Sequence, residues 1–359
     1  MKKSANTHGL KAVILVGGPG TRLRPLTDNC PKPMVPVVNK PFLEHTLAHL
    51  KLSGIEDIIL AMSYLPEAIR EYFGDGEHHG VRLTYCIEEE PLGTAGAVKN
   101  AAAYLDRPFV VLNGDNVFLE MDFNEVYTFH RDKKAKATIF MTQVDNPSAF
   151  GVVETDDDQR VKRFIEKPPP GTETSNRINA GGYIVEPEVL EEIPTGQHYM
   201  FEKGLFPKLL EDGQPLYGYT YNWYWLDMGT PQKYFNFNID LLLSKTKSPL
   251  FQNLTGDGVY YSGENSEVHP AAKITGPVLI DSDCKIGRGA SIKGPVIIGK
   301  GCIIGDSTSL EKTILWDKVN MGQNSRLKQC IIASDTIIKD NSKIENSVVT
   351  PSKTVPLSV

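Results

Sequence analysis

Ala12-Val13-Ile14-Leu15-Val16-Gly17-Gly18-Pro19-Gly20-Thr21-Arg22-Leu23-Arg24-Pro25 lies close to the start of the chain. An apolar run without polar alternation suits a strand covered on both faces, the kind that fills a parallel sheet. The glycines after it make a turn in which backbone N–H groups can approach an anion with no side chain in the way. Arg22 adds a planar fork of donors. Lys32, in Pro31-Lys32-Pro33, adds a compact point charge. A strand ending in such a turn is a place for polyphosphate. It is not a Walker A loop, since no Lys-Ser/Thr follows, nor a dinucleotide fingerprint, since Leu23 takes the third glycine position.

On either side of this turn, strand-like and helix-like stretches alternate as far as residue 245. Strands are expected at 12–16, 57–62, 83–87, 109–112 and 138–144. Helices are expected at 42–52 (stopped by Gly54), 95–105, 122–134 and 231–243. This alternation predicts an α/β domain over 1–245, with a Rossmann-like mixed, mostly parallel sheet flanked by helices. Ligands of such sheets bind beyond the carboxyl ends of strands, where the glycine turn and Asn113-Gly114-Asp115 both fall.

Residues 246–266, rich in Ser, Thr, Gly and Asn, read as a linker. Beyond it Val268, Ile274, Ile280, Ile286, Ile292, Ile298, Ile304, Leu310 and Trp316 recur every six residues, and Ile332, Ile338 and Ile344 resume the beat after a phase slip. This period fits neither helix nor ordinary strand. It resembles the hexapeptide repeat of a left-handed parallel β-helix over 267–359, whose aliphatic residues point inward. Some such domains are acyltransferases with a histidine on the coils. His269, at the very start, is the only histidine past the linker, so an assembly or regulatory role and a homo-oligomer are expected instead.

A chain of 359 residues with 40% hydrophobic and 23% charged residues is long enough for two globular domains. A formal charge of −6 argues against a nucleic-acid partner. Cys30, Cys86, Cys284, Cys302 and Cys330 are dispersed and suit reduced thiols in the cytoplasm. No apolar run approaches the ~20 residues of a membrane span. Lys2 and Lys3 precede too short an apolar stretch for a signal peptide.

Several residues carry two readings each. Asp115, just past an apolar strand, could hold a hard cation against phosphates or serve as a turn or cap. Asp227, in Trp225-Leu226-Asp227-Met228-Gly229-Thr230-Pro231, faces the same choice. Glu166-Lys167-Pro168 enters a proline-stiffened loop and could be a surface charge pair. Gly151 and Asn179 could be simple bulge or turn residues. Glu88-Glu89-Glu90-Pro91-Leu92-Gly93-Thr94-Ala95-Gly96 ends a strand and opens a helix, so a flat base could lie against its backbone, or its glutamates could be a solvated face.

The glycine turn, Lys32, Pro91-Leu92-Gly93-Thr94-Ala95-Gly96, Asn113-Gly114-Asp115, Glu166-Lys167-Pro168, Asn179-Ala180-Gly181, Asp227-Met228-Gly229-Thr230-Pro231 and the hexapeptide tail occur in the order seen in the sugar-1-phosphate nucleotidyltransferases. The chain resembles that family along nearly its whole length, most of all its members acting on GTP and mannose 1-phosphate. The resemblance implies catalytic Arg22, Lys32, Asp115 and Asp227, with Asp115 and Asp227 binding Mg²⁺. It implies nucleotide contacts from Gly17, Gly18, Gly20, Thr21, Glu88, Pro91, Gly93 and Thr94, and sugar-phosphate contacts from Gly151, Glu166, Lys167 and Asn179. With Glu88 at the base edge, an acceptor-only carboxylate matches the adjacent ring N–H and amine of guanine, which favours GTP. Relatives that use glucose 1-phosphate with UTP or dTTP share most of these motifs. A non-catalytic nucleotide-sugar sensor and a bifunctional enzyme with an acyltransferase tail are further alternatives.

Overall fold

The computed structural model describes residues 7, 9–63, 65–251 and 258–357. Lys2, Lys3 and part of the expected linker, 252–257, lie outside the described residues. The chain forms two compact units. One comprises residues up to Gly18 with Thr46–Trp225; the other comprises Pro19–His45 with Leu226–Val359.

The first unit is built on a nine-stranded sheet. Its strands are β1 (Lys11–Leu15), β2 (Asp57–Met62), β3 (Arg82–Ile87), β4 (Phe109–Asn113), β5 (Ala137–Gln143), β6 (Gly151–Thr155), β7 (Val161–Glu166), β8 (Arg177–Val185) and β9 (Leu216–Thr220). The central β1 is parallel to β4 on one side and β2 on the other, and β2 is parallel to β3. Its middle residues Ala12, Val13 and Ile14 have no exposed surface, as a run without polar alternation requires. β8 runs antiparallel to β4 and β5, β6 antiparallel to β7, and β9 parallel to β5, so the sheet is mixed. The register of β8 against β5 shifts between Asn179 and Tyr183, which turns this part of the strand out of the regular pleat.

Helices form at the four expected positions, and two more, at 66–73 and 206–211, were not expected. α1 is Phe42–Leu52, α2 is Pro66–Phe73, and α3 is Gly93–Asn100. α4 is Phe123–Asp132, capped by the Asp122 carboxylate, which accepts from Asn124 N and Glu125 N. α5 (Phe206–Glu211) continues a five-residue π-helical turn, Phe201–Leu205. In the second unit α6 (Pro231–Leu242) starts at Thr230, whose hydroxyl accepts from Lys233 N.

The rest of the second unit is a β-helix of stacked parallel strands, as the six-residue beat predicts. Val278, Ile280, Ile286, Ile292, Ile298, Ile304 and Leu310 fill its interior, together with the thiols of Cys284, Cys302 and Cys330. All five cysteines of the chain are free. One expectation needs correction. Glu267 stacks on Lys285 and Lys285 on Ile303, eighteen residues apart, but Ile303 stacks on Asn320 and Asn320 on Ile337, seventeen apart. One residue per coil is lost at the corner after Leu310, where the strand register shifts. Leu315, Met321, Leu327 and Ile332 therefore point inward, and Trp316 does not. Its indole lies outside the prism, against the ring of Tyr234 in α6.

The outward aliphatics of one β-helix flank, Leu279, Ile297, Ile314, Ile331 and Val348, are also buried. Neighbouring elements of the same unit supply polar ties: Asn39 Nδ2 donates to Ile298 O at 3.0 Å, and Lys353 Nζ lies 2.7 Å from Asp28 Oδ2. His269 is exposed, and its Nδ1 is taken by Ala271 N at 3.0 Å, the geometry of a surface turn. Among the described residues no helix is long and apolar enough to cross a membrane.

Candidate active site

The expected site residues divide between the units. In the second unit, Gly20 has φ +60° and opens a 3₁₀ turn, Thr21–Leu23, that leaves Thr21 and Arg22 exposed. A Cβ at Gly20 would lie 3.1 Å from Lys32 Cβ and 3.2 Å from Thr27 Cγ2, so glycine lets the turn close over the buried stem of Lys32. Thr27 Oγ1 ties the turn by donating to Gly20 O at 2.8 Å.

Asp227 is buried, and its Oδ2 lies 3.7 Å from Arg22 Nη1 and 3.3 Å from Lys233 Nζ. Its Oδ1 is buried with no hydrogen-bond partner among the described residues. The cap of α6 belongs to Thr230, so Asp227 is not used for that purpose. Gly229 makes room for the pair: a Cβ there would stand 3.0 Å from Asp227 Oδ1 and 3.1 Å from Arg22 Cζ. Gly229 belongs to a motif that carries the resemblance, whereas Lys233 escaped the sequence reading, although it follows Asp227 at a spacing a helix start can bring back.

In the first unit, Gly17 lies against Ser63, whose hydroxyl donates to Gly17 O at 2.7 Å; a Cβ at Gly18 would meet nothing within 4 Å. Asp115 is half-buried in a turn directly after β4. That turn is pressed onto the end of β1. Gly114 N donates to Leu15 O at 2.9 Å, and a Cβ on Gly114 would sit 2.5 Å from the same oxygen.

Glu88 is half-buried while Glu89, Glu90 and Pro91 are exposed. Its Oε2 accepts from Leu92 N at 2.9 Å, and desolvation raises its pKa against the smaller opposing effect of that bond. Gly93 has φ +72°, and a Cβ there would lie 2.8 Å from Tyr199 O. The same carbonyl accepts from Ala95 N and Gly96 N, so these first-turn donors of α3 are spent within the protein. Thr94 Oγ1 is likewise engaged, donating to Glu202 Oε2 at 2.9 Å and accepting from Phe201 N at 3.0 Å.

Of the residues expected to contact the sugar phosphate, the structure brings Gly151, Glu166 and Lys167 together. Gly151 pairs with Glu166 across β6 and β7, and a Cβ on Gly151 would lie 2.8 Å from Glu166 Oε2 and 2.6 Å from Phe164 Cζ. Lys167 has φ +49° and an exposed side chain whose Nζ lies 3.8 Å from Glu166 Oε1. Burial raises the Glu166 pKa, and the negative charge of Glu202 adds to the rise. Asn179 is buried: its Nδ2 donates to Tyr183 OH and its Oδ1 accepts from Gly181 N, both at 2.9 Å. Glu202 was not foreseen. The only trace in the sequence is a charged pair, Glu202-Lys203, set among apolar residues.

The second unit thus presents the exposed Arg22 beside the buried Asp227 carboxylate, and the first presents the exposed Lys167 beside the half-buried Glu166 carboxylate. The chain matches the family described as Nucleotidyl transferase over residues 11–243, and the EIF2B subunit epsilon LbH domain over residues 257–356. It is 40% identical over 287 residues to the mannose-1-phosphate guanylyltransferase of Mycobacterium tuberculosis, covering 79% of this chain and 78% of that protein. It is 35% identical over 313 residues to the UTP--glucose-1-phosphate uridylyltransferase of Synechocystis, covering 78% and 80%. Among solved structures, HddC from Yersinia pseudotuberculosis complexed with GMP-PN aligns with a TM-score of 0.55 at 32% identity, over 63% of this chain and 97% of that one.

Proposed function

The chain belongs to the nucleotidyl transferase family, and we propose that it joins GTP to mannose 1-phosphate, giving GDP-mannose and pyrophosphate. The observation that carries this reading is the similarity to the Mycobacterium enzyme over most of both chains. It is supported by the presence of Arg22, Lys32, Asp115, Lys167 and Asp227 together.

A sugar-phosphate oxygen attacks the α-phosphorus of the nucleotide in line with departing pyrophosphate, so one P–O bond forms as another breaks. The nucleophile is already an anion and needs no general base. The work of the protein is positioning and charge neutralisation. Arg22 and Lys32 hold the triphosphate, with Gly17, Gly18, Gly20 and Thr21 leaving its path clear. Lys167 holds the sugar phosphate, while Glu166 and Asn179 accept and donate to sugar hydroxyls past the backbone of Gly151. Pro91 and Gly93 carry the base, and Glu88 Oε1 accepts from guanine.

The donor chemistry at Asp227 fits a hard cation: one oxygen is balanced by Arg22 and Lys233, and the other is buried without a hydrogen-bond donor among the described residues. Asp115 and Asp227 are assigned to hold Mg²⁺, which when bound supplies charge neutralisation on the phosphate oxygens. Self-association through the β-helix belongs to the same reading, with Ile303 and Ile337 exposed on one flank.

A second reading, UTP with glucose 1-phosphate, is favoured by the similarity to the Synechocystis enzyme. Purified protein assayed for pyrophosphate release with GTP, UTP, dTTP and ATP against mannose, glucose and galactose 1-phosphates, with magnesium, separates the two. GTP with mannose 1-phosphate is expected to be fastest. Equal or better turnover with a pyrimidine triphosphate overturns the assignment.

A further inference from the structure

We propose that Glu202 is a positioning residue for this transfer, fastening the base-side Thr94 and the sugar-side Asn179 to one buried carboxylate. The inference rests on the functional reading above and adds a residue to it.

Four side chains of the first unit form the connection. Thr94 Oγ1 donates to Glu202 Oε2 at 2.9 Å, Tyr183 OH donates to Glu202 Oε1 at 3.2 Å, and Asn179 Nδ2 donates to Tyr183 OH at 2.9 Å. Tyr183 has no exposed surface, and Glu202 and Asn179 are each 9% exposed. The direction of every bond follows from the carboxylate, which can only accept. Both hydroxyl protons must point at Glu202. The phenol oxygen is then left as an acceptor, which selects the Nδ2 side of Asn179 and turns its Oδ1 to Gly181 N, 2.9 Å away. On the other arm the Thr94 oxygen is left to accept from Phe201 N at 3.0 Å. One charge therefore sets the rotamers of a residue at each end of the substrate pair.

A purely structural purpose would be served as well by a neutral acceptor, which costs less to bury than a carboxylate. Two further observations place the charge near chemistry. The Glu166 carboxyl is held above the ordinary range by burial and by the negative charge of Glu202. Glu202 also sits in the π-helical turn Phe201–Leu205, an uncommon conformation that is frequent at functional sites.

The test is steady-state kinetics of wild type, Glu202→Gln and Tyr183→Phe with the nucleotide and sugar phosphate that the wild type turns over best. Tyr183→Phe cuts only the sugar arm. It should raise KM for the sugar 1-phosphate by about fivefold, the worth of one hydrogen bond, and leave KM for the nucleotide within about twofold. Glu202→Gln should raise both KM values, because a glutamine oxygen can serve one hydroxyl and its amide turns a donor toward the other. Unchanged KM values in Glu202→Gln overturn the inference, and so does a Tyr183→Phe variant that shifts neither KM or both equally. If Glu202→Gln does not fold, the split in the isosteric Tyr183→Phe decides. A wild type inactive with every substrate pair overturns the functional reading, and this inference with it. An active wild type beside an unaltered Glu202→Gln overturns this inference alone.

Discussion

The indole Nε1 of Trp316 donates to the hydroxyl of Tyr234 at 2.9 Å, joining the β-helix to helix α6 within the second unit. The same hydroxyl donates to Pro36 O at 2.5 Å, four residues beyond Lys32. Tyr234→Phe removes both bonds and leaves the buried indole N–H and the carbonyl without their partner. A loss of about 1–3 kcal/mol for each unpaired group is expected. Urea denaturation should show the lower stability. Turnover should fall as well, because the segment that Pro36 belongs to carries Arg22 and Lys32.

Asp227→Asn keeps the shape of the side chain and removes the charge that Arg22 and Lys233 face. Turnover should drop by about 10²–10³-fold, the scale seen when one charge-stabilising contact at a reacting centre is lost. Arg22→Ala and Asp115→Ala should fall comparably. Circular dichroism should show all three folded. Near-normal activity in any of them removes that residue from its assigned role.

Gly151→Ala tests the sugar side by steric means alone. Its new methyl would need the space of Glu166 Oε2 and Phe164 Cζ, 2.8 and 2.6 Å away. Displacing the carboxylate should raise KM for the sugar 1-phosphate, with KM for the nucleotide little altered. A variant that raises only the nucleotide KM contradicts the assignment of Glu166 to the sugar.

His45 supplies a pH dependence. It is fully buried, with Nδ1 2.5 Å from Ser248 Oγ and Nε2 2.9 Å from Val37 O. Desolvation lowers its pKa to about 4, outweighing the opposite effect of the Val37 bond. The unfolded chain, with a histidine near 6.5, binds the proton first as pH falls. The stability contributed by neutral His45 is therefore complete above about pH 6.5 and is lost progressively toward pH 4, by up to about 3 kcal/mol. Denaturation midpoints measured across that range should fall with acid, and His45→Gln should flatten the slope.

The apolar run 12–16, the stop at Gly54 and the six-residue beat were legible because each is a local periodicity that burial imposes on sequence. The charged candidates were legible as residue types, and the family resemblance gave them roles. What could not be read was how hydrogen bonds are spent. Thr94 looks like a free ligand in sequence, but it is tied to Glu202, a residue 108 positions away that no spacing rule reaches.

Which residues can be strands, which stack as coils and which charges are available depends on neighbours along the chain, so these features could be read from the residues alone. That Leu315 and not Trp316 fills the β-helix emerges on folding, because a single residue lost at a corner reverses which side chains face inward. Folding likewise brings Asp227 to Arg22 and Lys233 and leaves one of its oxygens buried without a hydrogen-bond partner among the described residues, because partners far apart in sequence are chosen by packing.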